Sequence, residues 1–207
     1  MNYNWIQTFT GKRVFPLRPR AEDIDIRDIA HALSLKCRFG GHISSFYSVA
    51  QHSVAVSTCR WLTTPVERLW GLLHDAGEAY LPDIASPIKD RVFVSNGDPE
   101  PATTYIAFRH AENLILKCVA EKYDLSWPPP AAVDQADKIA LVTEARDLLP
   151  GGPILDWAYN VAADPEPSQI LPVHAQLAEI TFLNWFDNLT DYRFNPRRRG
   201  KDQGGVR

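Results

Sequence analysis

The segment Thr64-Pro65-Val66-Glu67-Arg68-Leu69-Trp70-Gly71-Leu72-Leu73-His74-Asp75 constrains this chain more than any other. Thr64-Pro65 is a helix cap followed by a first-turn proline, where a missing N–H costs nothing. Val66, Leu69, Trp70 and Leu73 then recur at helical spacing, so this helix must bury a face. Its expected course is to about Tyr80. Two side chains of the kind that bind metals, His74 and Asp75, therefore stand beside one another at the end of a very apolar helix.

The rest of the chain reads as helices divided by proline and glycine, which predicts an all-α architecture. Residues 22–35 place Ile26, Ile29, Ala30 and Leu33 on one face, with acidic residues at the front, where a helix N-terminus favours them. Cys37 to Phe46 reads as a loop, and periodicity resumes from Tyr47 to about Leu62. Leu81 to Pro87 contains two prolines and is expected to be irregular, and 93–101 to be a surface loop. Tyr105–Tyr123 and residues 131–149 are expected helices, separated by a stiff turn at Trp127-Pro128-Pro129-Pro130. Gly151 to Pro172 reads as a loop packed through Trp157 and Tyr159, followed by a final helix from Val173 to Leu189. Residues 1–192 are read as one domain, and 193–207 as a disordered basic tail.

Composition removes several function classes. With 207 residues, one core suffices. A net charge of -3 gives no global basic field, so neither a nucleic-acid polymer nor a membrane surface is an expected partner. No apolar run approaches the ~20 residues of a spanning helix, and the first residues lack the pattern of a signal peptide. Cys37, Cys59 and Cys118 are odd in number and widely spaced, which fits reduced thiols in a cytoplasmic protein.

An isolated His-Asp pair is a weak signal. Two further residues strengthen it. His52 lies among small and apolar residues in Ser48-Val49-Ala50-Gln51-His52-Ser53-Val54, and Asp137 shares a helix face with Leu141 and Leu148. Asp134, three residues earlier, competes with Asp137, and periodicity does not choose between them. Unpaired polar groups in such settings cost several kcal/mol. One cation held by His52, His74, Asp75 and Asp137 would satisfy them all. Two imidazoles and two carboxylates suit one divalent transition metal, with Mn, Co or Zn ahead of Fe, Ni or Mg.

The order His, His-Asp, Asp resembles that of the HD-domain metal-dependent phosphohydrolase superfamily. His-Asp-x-x-Glu at 74–78, Asp83, and Ser86-Pro87-Ile88-Lys89 are similar to the YfbR-like 5′-deoxynucleotidases, and to small phage HD enzymes that hydrolyse dATP to deoxyadenosine and triphosphate. The likeness covers roughly residues 24–149. It implies a compact HD-domain helical bundle with a central metal site, and it selects Asp137 over Asp134. It implies that Glu78 and Asp83 orient or deprotonate the attacking water, or protonate the leaving oxygen. Arg38 and Lys89 would contact phosphate, and Phe39 the base or sugar. Glu144 and Arg146-Asp147 resemble the continuation of the family's helix and are expected to form a buried ion-pair network.

Two-metal phosphodiesterases of this superfamily carry extra histidines after the His-Asp pair. Here only His110 and His174 follow, in ordinary amphipathic segments. One metal, and cleavage at the 5′ phosphate group of a nucleotide, is the resulting expectation. Whether one phosphate or an intact triphosphate leaves stays open. The alternative is a regulatory nucleotide-binding module without catalysis, which would not need Glu78. Trp185 and Phe186 on the last helix serve either a homo-oligomer interface or the core.

Overall fold

The computed structural model describes residues 4–95, 105–152, 161 and 163–194, with backbone alone for 192–194. The expected tail from 195 onward, Trp157 and Tyr159 lie outside the described residues. Among those described, seven helices dominate. They are α1 (Ile26–Leu35), α2 (Val49–Thr58), α3 (Pro65–Leu73), α4 (Ser86–Lys89), α5 (Phe108–Lys122), α6 (Ala131–Leu148) and α7 (Ala175–Phe194).

The fold is mostly helical, as expected, but it also contains two antiparallel ribbons that were not foreseen. β1 (Ile6–Gln7) pairs with β2 (Arg13–Val14), and β3 (Phe93–Ser95) with β4 (Tyr105–Ala107). Strands of two or three residues are too short to show an alternating pattern. Residues 93–95 were expected as loop and Tyr105–Ala107 as the first turn of a helix. Both are strand, and Phe108 N–H, at the start of α5, donates to the Val92 carbonyl.

Local signals set the helix starts. Thr64 and Glu67 form a capping box, and Pro65 occupies the first turn of α3. Ser48 caps α2 by accepting from Gln51 N–H at 3.1 Å. Asp25 caps α1, so this helix starts later than 22, after a separate 3₁₀ turn at Ala21–Asp23. Helix α3 ends at Leu73 rather than near Tyr80. The chain tightens into a 3₁₀ turn at Ala76–Ala79, with Asp75 at φ -96 and ψ 11. Residues 86–89, partly expected as irregular, form α4. Helix α7 extends to Phe194, past the expected start of the tail.

Helix α2 is central and packs against α1, α3, α6 and α7. Small residues on it allow close approach. Ser53 and Ser57 are fully buried, and Gly71 of α3 lies against the Ser57 backbone. Ser57 Oγ donates to the Arg68 carbonyl at 2.6 Å and accepts from Trp185 Nε1 at 2.7 Å. Trp185 is thus tied to α2 and Phe186 is buried in the core, so their role here is packing rather than an exposed face. The three cysteines are free thiols.

Candidate metal centre

Three helices and one turn deliver the candidate ligands. His52 comes from the middle of α2, His74 caps the end of α3, Asp75 begins the following turn, and Asp137 lies on α6. His52 has no exposed surface and His74 little. His52, His74 and Asp75 form a group whose ligand atoms all lie within 4.8 Å of one another, an arrangement able to hold a metal ion. Asp137 closes on both imidazoles, with Oδ1 3.1 Å from His52 Nε2 and 3.8 Å from His74 Nε2. Asp75 Oδ2 lies 3.6 Å and 3.4 Å from the same two nitrogens. Asp134 is exposed and paired with Lys138, so of the two rival aspartates only Asp137 reaches the centre.

The hydrogen bonds fix the histidine tautomers. His74 Nδ1 lies 2.8 Å from the Gly71 carbonyl, which can only accept, so this nitrogen carries the proton. His52 Nδ1 lies 2.6 Å from Glu144 Oε1. Burial disfavours the Glu144 charge, but Arg38 and His52 outweigh it and hold the carboxyl below its usual range. That carboxylate accepts, so His52 Nδ1 is protonated as well. The two Nε2 atoms then face each other at 3.2 Å with their lone pairs. Lone pairs at that distance repel unless a cation lies among them and the flanking carboxylates. Neighbouring ligands on a transition ion with ~2.1 Å bonds stand about 3 Å apart, so the donor set fits such an ion.

Without a metal, a proton has to do this work. Burial and Arg38 pull the His52 pKa down, but Glu144 and Asp137 push it up to about 9. His74 is also raised: Asp75 and Asp137 overcome its burial. Asp137 moves the other way. Burial opposes its charge, yet hydrogen bonds from both histidines hold it well below the usual carboxylate range.

The other expected site residues fall at different distances. Glu78 is buried, and burial together with the charges of Asp75 and Asp83 raises its pKa to about 8. Lys89 Nζ stands 3.5 Å from Glu78 and donates to Glu112 at 2.8 Å. Arg38 reaches Asp75 at 3.6 Å and Glu144 at 2.9 Å, and its guanidinium lies 5.7 Å from the Phe39 ring centre. Phe39 adopts a left-handed backbone at φ 55 within the 3₁₀ stretch Arg38–Gly41, in a segment expected to be loop. Asp83 is exposed and acts on the site through its charge on Glu78 and Lys36. A cavity of about 240 Å³ opens beside His74, Asp75 and Glu78 and is also lined by Lys89, Arg109 and Asn113.

Two contributors lay outside the expected set. Lys36 donates from Nζ to the main-chain carbonyls of Glu78 and Leu81, the second at 2.7 Å. Glu112 holds Lys89. Neither shows in spacing, because each meets its partner across a long stretch of chain. Glu144 is buried as expected, but Arg146 is not part of its network. Arg146 lies at the surface, bonded to Asp147 and to the carbonyls of Glu166 and Ser168.

These features define a mostly helical protein with a His-His-Asp group suited to a metal ion. Over 191 residues the chain is 35% identical to the uncharacterized protein YfdR of Escherichia coli (strain K12), covering 92% of this chain and 98% of that one. It is 33% identical over 163 residues to an uncharacterized protein of Rhodobacter capsulatus, covering 72% and 74%. The chain belongs to the YfdR family. No family model matches it. Among the described residues, no helix is long and apolar enough to cross a membrane.

Proposed function

We propose that the chain is a metal-dependent phosphohydrolase of the HD type, acting at the 5′ phosphate group of nucleotides, deoxynucleotides foremost. The observation that carries this reading is the convergence of His52 Nε2 and His74 Nε2, 3.2 Å apart and flanked by Asp75 and Asp137. A divalent ion bound there supplies Lewis acidity and acidifies water. The residues around it fit the rest of the task. Arg38, 3.6 Å from Asp75, and Lys89, 3.5 Å from Glu78, offer positive charge for a phosphate. Glu78, buried with a raised pKa in the wall of the cavity that His74 and Asp75 also line, passes a proton to the nucleoside oxygen as the P–O bond breaks. Water supplies the new P–O bond, and the products are a nucleoside and phosphate or triphosphate.

The test is turnover. Protein stripped of metal and resupplied with Mn, Co, Zn or Mg is offered nucleoside mono-, di- and triphosphates, and nucleoside, phosphate and triphosphate are quantified. Release of nucleoside by the Mn, Co or Zn form supports the reading. Nucleotide binding without turnover under any metal would favour a regulatory module instead.

A further inference from the structure

Glu144 lies on α6 two turns beyond Asp137, and its side chain has no exposed surface. A buried carboxylate costs several kcal/mol unless it is fully partnered. A bidentate arginine would satisfy that need. Instead the two oxygens divide. Oε1 accepts from His52 Nδ1 at 2.6 Å and Oε2 from Arg38 Nε at 2.9 Å, while burial and the carboxylate's charge together raise the pKa of the Tyr47 phenol. One oxygen therefore faces a candidate metal ligand. The other faces the cation that reaches across to Asp75.

We infer that Glu144 is a positioning residue serving both halves of the site. Oε1 holds His52 in the tautomer that leaves Nε2 free for a metal, and Oε2 holds the Arg38 guanidinium where it meets the phosphate. The inference rests on the phosphohydrolase reading. It adds a specific coupling: one carboxylate orients the metal ligand and the anion-binding group together. Carboxylates behind ligating histidines typically change metal affinity 10–100-fold when replaced.

Glu144→Gln keeps the volume and an acceptor but removes the charge. Glu144→Asp keeps the charge but is one methylene shorter and cannot reach both partners. Mn affinity is measured by calorimetry on the full chain, then the affinity of the Mn-loaded protein for inorganic phosphate. Both variants are expected to bind Mn 10–100-fold more weakly, with phosphate weakened as well. In the Zn-loaded wild type, the His52 Nδ1 proton is expected far downfield in NMR spectra and shielded from exchange. In Glu144→Gln it shifts upfield, while the His74 Nδ1 proton, bonded to Gly71, stays in place. A plain core role would leave Mn affinity, phosphate affinity and that proton unchanged in a folded Glu144→Gln, and this result overturns the inference. If neither variant folds, the wild-type spectrum decides, because a rapidly exchanging His52 Nδ1 proton overturns it too. A wild type that takes up no Mn, Co or Zn sinks the phosphohydrolase reading along with this one. Uptake by the wild type with undiminished affinity in Glu144→Gln sinks this one alone.

Discussion

A Cβ on Gly71 would stand 3.0 Å from the Cα of Ser57 and 2.7 Å from Leu62 Cδ1. Leu62 can rotate away, but the Ser57 backbone can move only with α2. His52 lies on α2 and His74 at the end of α3, so the fit of these two helices sets the distance between the imidazoles. Gly71→Ala is expected to destabilise the fold by about 1–3 kcal/mol through overpacking. It should also weaken metal binding, because the separation of the histidines grows. Thermal melts and Mn titration measure both. Unchanged values for both would show that the helices have slack.

Metal uptake should release protons. The metal-free His52 holds a proton up to about pH 9, so an incoming ion has to displace it. With the folded pKa raised, the sign is fixed: affinity rises with pH and levels off above about 9. Where one proton leaves per ion, the gain is about tenfold per pH unit. Calorimetry in buffers of different ionisation enthalpy counts those protons. A pH-independent affinity would contradict a protonated His52 in the metal-free protein.

Much of this centre was legible because its ligands sit in strong local contexts. His74-Asp75 closes an apolar helix, and His52 sits among Ser53, Val54 and Ala50, where a polar ring needs a partner. The Thr64-Pro65 start of α3 was equally plain. The early end of α3 was not. Ala76, Glu78 and Ala79 are compatible with helix, and the 3₁₀ turn that replaces it packs against α1 and α5, which are distant in the sequence. Lys36 looks like an ordinary cation at a helix end, which such a position favours anyway. Its real partners, Glu78 and Leu81, are more than forty residues away.

Glu78 makes the metal-free fold sensitive to pH. Its folded pKa is raised to about 8 from the 4.5 of an ordinary glutamate. The folded chain therefore holds a proton that the unfolded chain has lost, and stability falls as pH rises from about 4.5 to 8. Glu78→Gln removes this dependence. The metal-free variant should match the wild type near pH 4.5 and exceed it at pH 8 by on the order of 1–3 kcal/mol. Urea titrations at both pH values test this. Turnover by the metal-loaded variant should fall by 10²-fold or more, as expected for loss of a proton-transfer group. Equal pH slopes for the two proteins would show that Glu78 is not the group that titrates.

Lys36 offers a separate handle on the same turn. Its ammonium group bonds the carbonyls of Glu78 and Leu81, and thereby anchors the residues that follow Asp75. Burial lowers its pKa, yet the charges of Glu78 and Asp83 act to keep it charged. Lys36→Met retains the apolar stem and removes the donors. Two carbonyls lose their partner, which should cost about 1–3 kcal/mol of stability. None of the four candidate metal ligands touches Lys36 in the hydrogen bonds described, so Mn affinity should stay within a few-fold of wild type. Glu78 loses its fixed backbone, and the expected result is a kcat reduced 10–100-fold with little change in KM. The contrast between intact metal binding and reduced kcat separates a loosened Glu78 from a damaged metal centre. A variant that loses Mn affinity and kcat in parallel would instead place Lys36 in support of Asp75.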